Sequence, residues 1–326
     1  MLEWHLACSF ARTSDTIWPA VEQFAALVTS LTQGAFVITP HPAGEPYPAD
    51  QVLGLVRRGE VECGHTAGSF FIGQDPVLAL ATFAPFGLDA RRHAAWLDGP
   101  GAGYVARAWA RQGVVSLPCL NTGAQTGGWF RRPIRELADF AGLRIRTAGL
   151  PALVFQRLGA CPVSLAAHEV LPALQSGMLD AADWIGPHDD LAMGFHAAAP
   201  FYHHPGAMEP SAQLSLIVGQ CSWDVLPEAF RCALRCAAAA AERALLVRYD
   251  TLNPPALASL VEAGVTLCRF PADVLAAMRT ASTNVLDTLA AGDPAFADAL
   301  RSYRIFGVAG QDWWQLGERD AAAAAS

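Results

Sequence analysis

The chain opens on alternation. Glu3 to Phe10 switches between polar and apolar positions and predicts a strand, while the 3.6-residue spacing of Trp18 to Leu31 predicts a helix. Gly34 to Thr39 predicts a second strand. Pro40, Pro42, Gly44, Pro46 and Pro48 then form a loop, because no helix survives five breakers. Asp50 is placed to cap a helix through Arg57, Gly59 to close it, and Val61 to His65 predicts the next strand. This rhythm belongs to an α/β fold wound about a mostly parallel sheet.

Phe83 to Leu88 reads as an apolar loop, followed by helices near Ala90 to Leu97 and Ala102 to Gln112. The glycines between those helices, Gly99, Gly101 and Gly103, lack the last glycine of a dinucleotide fingerprint and follow a helix, so they predict a plain connection. Val114 to Leu120 is a strand that delivers the chain to Asn121-Thr122-Gly123-Ala124-Gln125-Thr126-Gly127-Gly128-Trp129-Phe130. Beyond it a second α/β unit begins. Ile134 to Phe140 reads as a turn or short helix, Arg144 to Thr147 as a strand and Pro151 to Leu158 as a helix. Pro162 to Leu165 is a strand, Val170 to Ser176 a helix closed by Gly177, and Ala181 to Trp184 a strand. Gln213 to Val218 is another strand, and a long alanine-rich helix runs from about Glu228 to Leu252. A strand at Gly264 to Arg269, helices at Ala272 to Leu289 and Pro294 to Tyr303, and a fraying alanine tail complete the chain.

Composition narrows the function. The net charge of -8 argues against nucleic acid, whose phosphates demand a basic face. Hydrophobic residues make up 52% of 326, enough for a large core or two lobes, and every fixed positive charge is Arg. No uninterrupted apolar run approaches the roughly 18 residues of a membrane span. The first residues, Met1 to His5, do not read as a secretory leader. The eight cysteines contain no Cys-x-x-Cys pair and fall mostly in apolar runs, which predicts small buried hydrophobes and no zinc site.

Three segments carry candidate chemistry. A Gln inside a glycine-rich loop offers a carbonyl oxygen to a cation or an amide to a carboxylate. Arg146, on a strand in an apolar segment, is costly to bury without an anion, and its fork suits a carboxylate; exposed, it is a surface residue like Arg144. Asp183-Trp184 end an apolar strand, where α/β sheets bind ligands, although an Asp also opens turns there. The histidines form no metal set, and no nucleophile elbow is present.

Together with Gly59-Glu60-Val61-Glu62-Cys63-Gly64-His65-Thr66-Ala67, Ala84-Pro85-Phe86-Gly87-Leu88 and Gly186-Pro187-His188-Asp189-Asp190, these segments resemble the solute-binding receptors of tripartite ATP-independent periplasmic (TRAP) transporters. Pro205-Gly206 with Glu209, and Phe270-Pro271 with Val274-Leu275, extend the match, which is to the branch taking 2-oxo and 2-hydroxy monocarboxylates. The resemblance implies a two-lobe periplasmic-binding-protein-like α/β fold with a long helix crossing both lobes. Residues 1–124 with about 206–250 would form lobe I, 125–205 with about 251–290 lobe II, and 291–326 a C-terminal helix and tail.

It further implies a non-enzymatic periplasmic receptor, handing a small organic carboxylate to TRAP membrane subunits. Arg146 would bind the carboxylate. Gln125, Asp183 and Trp184, the last through its backbone carbonyl, would hold a sodium or calcium ion that also touches the ligand; no organic cofactor is implied. Phe70, Asn121 and Glu209 complete the expected ligand-binding set. Phe70-Phe71 and Ala207-Met208 stand where relatives carry Tyr and Trp, which implies a roomier, more apolar pocket. The paired Trp313-Trp314 suit a homodimer through the C-terminal helix, or a helix folded back on its own lobe. A sensor on the same fold and a metal-dependent enzyme using the cleft carboxylates are the competing readings.

Overall fold

A computed structural model describes residues 1–325. Its strands are β1 (Leu2–Cys8), β2 (Phe36–His41), β3 (Cys63–Thr66), β4 (Val114–Asn121), β5 (Trp129–Phe130), β6 (Arg144–Arg146), β7 (Cys161–Val163), β8 (Ala181–Ala182), β9 (Phe201–His204), β10 (Gln213–Gly219) and β11 (Thr266–Arg269). They form two sheets, ordered β2-β1-β3-β10-β4 and β11-β9-β5-β8-β6-β7. Each sheet is parallel apart from one strand. In the first the exception is β10, antiparallel to β3 and β4; in the second it is β5, antiparallel to β8 and β9. The mostly parallel sheet read from the sequence is thus two sheets. The chain enters the second along β5 and returns to the first along β10, so each returning strand runs against its neighbours.

The helices are α1 (Ile17–Leu31), α2 (Val52–Arg58), α3 (Val77–Thr82), α4 (Ala90–Asp98), α5 (Ala102–Arg111), α6 (Gly149–Arg157), α7 (Ala167–Ser176), α8 (Pro187–Met193), α9 (Gln220–Asp224), α10 (Glu228–Glu262), α11 (Ala272–Gly292), α12 (Pro294–Ala309), α13 (Gln311–Trp314) and α14 (Asp320–Ala325). Among the described residues no helix is long and apolar enough to cross a membrane.

The long helix α10 ties the two sheets together. Its first half buries Leu234, Ala237, Ala241, Leu245 and Tyr249 in a core shared with Trp4, Leu6, Phe24 and Leu216 of the first sheet and α1. Its last turns bury Leu260 with Trp129, Ala182 and Tyr202 of the second sheet and with Phe195, on a 3₁₀ turn beside it. The sequence expectation ended this helix at about Leu252, shortly before Pro254 and Pro255. A proline inside a helix costs about 3 kcal/mol. The helix nevertheless runs to Glu262, and its last turns bury Ala256 and Leu260.

Other local expectations change. Asp50 caps no helix: Ala49–Gln51 form a 3₁₀ turn after an extended Pro48, and α2 starts at Val52 without a side-chain cap. Gly59 and Gly177 close α2 and α7 in the left-handed conformation, as their positions predict. The alanine tail is helical. The cysteines are not mainly buried: only Cys8, Cys63 and Cys119 are, while Cys161, Cys221, Cys232 and Cys236 are exposed. Cys232 and Cys236 sit on the solvent face of α10, whose alanines made the run look uniformly apolar. Trp313 is exposed, whereas Trp314 folds back under Arg92, whose guanidinium lies 4.6 Å from a ring centroid.

Candidate binding site

Two crossing segments run side by side between the sheets. Thr122 N donates to Ala212 O (3.1 Å), Ala212 N to Thr122 Oγ1 (2.9 Å) and Gln125 N to Pro210 O (3.4 Å). The approach is close because of glycine. A Cβ on Gly206 would lie 2.4 Å from Gln125 O, and Gly128 holds φ +94 with Ala182 O where a side chain would go. Leu120 takes φ +73 where the register between β4 and β10 shifts, and this kink turns the chain into the loop. The crossings therefore bring Gln125 beside Glu209, although 84 residues separate them.

The orientation of the Gln125 carboxamide follows from its partners. Its Nε2 donates to Glu209 Oε1 (3.1 Å) and to Thr122 Oγ1 (3.0 Å), whose own proton goes to Gly123 O. The nitrogen thus faces two oxygens. The carbonyl oxygen Oε1 is left buried and without a hydrogen-bond partner among the described residues. A buried acceptor with nothing to accept costs about 1–3 kcal/mol, and an added donor or cation would relieve it.

The second sheet supplies the opposite wall. β6 and β8 are parallel, with Arg146 level with Ala182, so Arg146 and Asp183 leave the sheet at its carboxyl edge. Arg146 Nη1 donates to Asp183 O (2.8 Å), and Asp183 N donates to Arg146 O (2.9 Å). The guanidinium lies 4.5 Å from the Trp184 ring centroid, and Phe195 meets Trp184 edge-on at 5.5 Å. Stacking and one hydrogen bond fix the fork while leaving donors for a ligand. Arg144, two residues earlier, instead forms a two-point surface pair with Asp180, at 2.7 Å for each bond.

Electrostatically the site is one positive group among acids. Burial holds the Asp183 carboxyl above the ordinary range, and Arg146 opposes the shift. Glu209 is also raised, by burial and then by Asp183, with Gln125 and Arg146 opposing. Burial lowers Arg146, with Asp183 and Glu209 acting to keep its charge. Glu209 still touches solvent along the cleft, which screens part of this effect. The two carboxyl groups repel and titrate as a pair.

The remaining expected residues divide. Asn121 braces the loop: its amide donates to Gln213 Oε1 (3.0 Å) and its oxygen accepts from Gly123 N (2.8 Å). Phe70 is 52% exposed, on the 3₁₀ turn Gly68–Phe71. That turn approaches the start of α6, where a Cβ on Gly149 would lie 3.4 Å from Ser69 O. Thr147 went unremarked in the sequence. It is buried directly after Arg146, and its hydroxyl lies beside the Asp183 carboxyl, which it helps to keep charged. A hydroxyl at the end of the strand carrying the candidate clamp was the available signal. Among the described residues no cluster of three or more His, Cys, Asp or Glu could hold a metal. A cation here would therefore rest on mixed oxygen donors, which suits a hard ion and not zinc.

Comparison with known proteins shows the family. Residues 8–293 match the family described as bacterial extracellular solute-binding protein, family 7. A monocarboxylate 2-oxoacid-binding periplasmic protein of Nostoc sp. is 37% identical over 306 residues, covering 94% of this chain and 84% of that one. A TRAP transporter solute-binding protein of Bordetella bronchiseptica superposes with a TM-score of 0.96 at 32% identity, over 100% of this chain and 97% of that one. Its crystal is a mixed-occupancy dimer with copurified calcium and picolinate in the active site versus an apo site. A TRAP periplasmic solute-binding protein of Pseudoalteromonas atlantica, with bound sodium and pyruvate, gives a TM-score of 0.94 at 29% identity, over 99% and 98% of the two chains. With the family's pattern spanning both sheets and the crossings between them, this chain belongs to the bacterial extracellular solute-binding proteins of family 7, the DctP family.

Proposed function

We propose that this chain is the periplasmic receptor of a TRAP transporter, binding a small 2-oxo or 2-hydroxy monocarboxylate together with a cation in the cleft between its lobes. One observation carries the reading: the buried, unpartnered Gln125 Oε1, beside Glu209 and in the same cleft as the Arg146 fork. In this reading Arg146 takes the carboxylate with two parallel N–H bonds. Gln125 Oε1, the Glu209 carboxylate and the Asp183–Trp184 turn supply oxygens to the cation, which also takes an oxygen of the ligand. The bound calcium and sodium of the Bordetella and Pseudoalteromonas proteins support a hard ion of this kind.

Glu209 enters the charge count of the site beside Arg146 and Asp183. With Asp183 and Glu209 both ionised, the protein side carries one net negative charge, and the ligand adds a second. Calcium neutralises the assembly, whereas sodium does so only if one of the two carboxyl groups keeps a proton. Calcium is therefore favoured where both carboxyl groups are ionised, and sodium suffices near neutral pH, where Glu209, pushed up to about 8 by burial and by Asp183, keeps a proton. The protein does no chemistry in this reading. It releases its ligand to the transporter's membrane subunits, and lobe I comprises 1–124 and about 206–250, lobe II 125–205 and about 251–290. The exposed Ile305, Val308, Trp313 and Leu316 support a homodimer through the C-terminal helix. Calorimetry with pyruvate tests the core of the proposal: binding should require calcium or sodium and vanish in Arg146→Ala, and equal affinity in both proteins would overturn it.

A further inference from the structure

The face of the first sheet turned away from α1 carries two histidines that the cleft does not use. β1 and β2 are parallel, with His5 level with Thr39 and Ala7 level with His41. The two histidines therefore lie two positions apart diagonally on one face, while Trp4, Leu6, Phe36 and Ile38 fill the core on the other. His5 Nδ1 and His41 Nε2 point at each other across 3.0 Å, with ring centroids 5.2 Å apart. Tyr47, from the proline-rich loop, sets its ring at 89° to His41 with centroids 5.3 Å apart, which limits the rotation of that ring. Glu62 is anchored on the same strand, its Oε2 accepting from His5 N at 2.8 Å. His5 is exposed and His41 half-buried, so water reaches the pair.

Two imidazole nitrogens bound to a tetrahedral ion at about 2.0–2.1 Å lie roughly 3.3 Å apart. The observed spacing is within a few tenths of an ångström of that, a shift that rotation of the exposed His5 ring supplies. We propose that His5 and His41 form a surface site for an imidazole-seeking divalent transition ion, copper(II) or zinc(II). The ion replaces the proton shared by the rings and completes its shell with water. Two protein ligands are consistent with the absence of larger metal-ligating clusters among the described residues. The site differs in chemistry from the cleft, whose oxygen donors select hard ions. Because β2 is the outer strand of its sheet, the ion would clip an edge strand to its neighbour.

The test uses the full chain with the exposed Cys161, Cys221, Cys232 and Cys236 changed to Ser, so that these thiols neither bind zinc nor reduce copper(II), stripped with chelator and held in excess calcium to occupy the cleft. Copper(II) and zinc(II) are titrated by calorimetry, and the copper form is read by electron paramagnetic resonance. The expected result is one equivalent of either ion, nitrogen hyperfine structure from two imidazoles, and a higher Tm with zinc. His5→Gln and His41→Gln should each weaken binding at least tenfold and the double variant abolish it, while His168→Gln, on an exposed position elsewhere, changes nothing. Circular dichroism checks that the variants are folded. Binding undiminished in the folded double variant, or a wild-type copper spectrum without imidazole nitrogen, would overturn the proposal.

Discussion

Replacing Glu209 by Gln keeps the shape of the site and removes one charge. Gln125 Nε2 holds a Glu209 oxygen at 3.1 Å, which places the carboxylate beside the unpartnered Gln125 Oε1. A cation bound to both would lie within about 4 Å of the carboxylate charge. At an effective dielectric of about 20, that attraction is worth about 4 kcal/mol for a monovalent ion and about twice that for calcium. Desolvation of Glu209, seen in its raised pKa, opposes it by several kcal/mol. The net loss should be about 2–4 kcal/mol, or roughly 30- to 1000-fold in ligand affinity at fixed calcium. Without a cation the sign reverses, because the substitution would then remove a negative charge facing the ligand carboxylate, and binding would tighten. Calorimetric titration of wild type and Glu209→Gln with pyruvate, in metal-free buffer with calcium added back stepwise, separates the two. Tighter binding in the variant, with no calcium dependence in wild type, would refute the reasoning.

Arg146→Lys keeps the charge but loses the fork and the stacking on Trp184; it should weaken pyruvate binding by about 1.5–3 kcal/mol, and unchanged calorimetric affinity would count against the clamp. Burial raises Asp183 and Glu209, so they take up protons near neutral pH; affinity at fixed calcium should fall as pH drops from about 8 to about 5.5, whereas a flat profile would mean that neither carboxylate holds the ion. Asp190 is buried and accepts from Trp129 Nε1 (2.8 Å), Tyr202 OH (2.7 Å) and Ile185 N (3.2 Å). Asp190→Asn turns an N–H group towards one of these donors and should cost about 1–3 kcal/mol in urea unfolding; no loss would show that the network relaxes freely.

The parts of this molecule written locally were legible in its sequence. Gly59 and Gly177 announced helix ends because only the left-handed conformation needs them there. The Asn121 to Phe130 loop stood out through its glycines, two of which, Gly123 and Gly128, take positive φ. Elements that depend on distant partners were not legible. β5 has two residues and exists because Ala181, Ala182, Phe201 and Tyr202 flank it. The Val77–Thr82 helix is apolar on every side, so no periodicity marked it, and all six of its residues are buried. The last turns of α10 pass two prolines because Leu260 is buried against the second sheet, which no local signal carries. In the site, residue type made Arg146 and Gln125 candidates, and the family resemblance assigned their roles. The pairing of Gln125 with Glu209 was not foreseen, since it arises only where the two crossings run together.

The central claim, that a carboxylate and a hard cation share this cleft, is tested most directly by a crystal structure of the protein grown with calcium and pyruvate. The account predicts an ion about 2.3–2.6 Å from Gln125 Oε1 and from a Glu209 oxygen, with the pyruvate carboxylate paired to the Arg146 guanidinium. Pyruvate bound away from Arg146, or bound on Arg146 with no ion at Gln125, would contradict it.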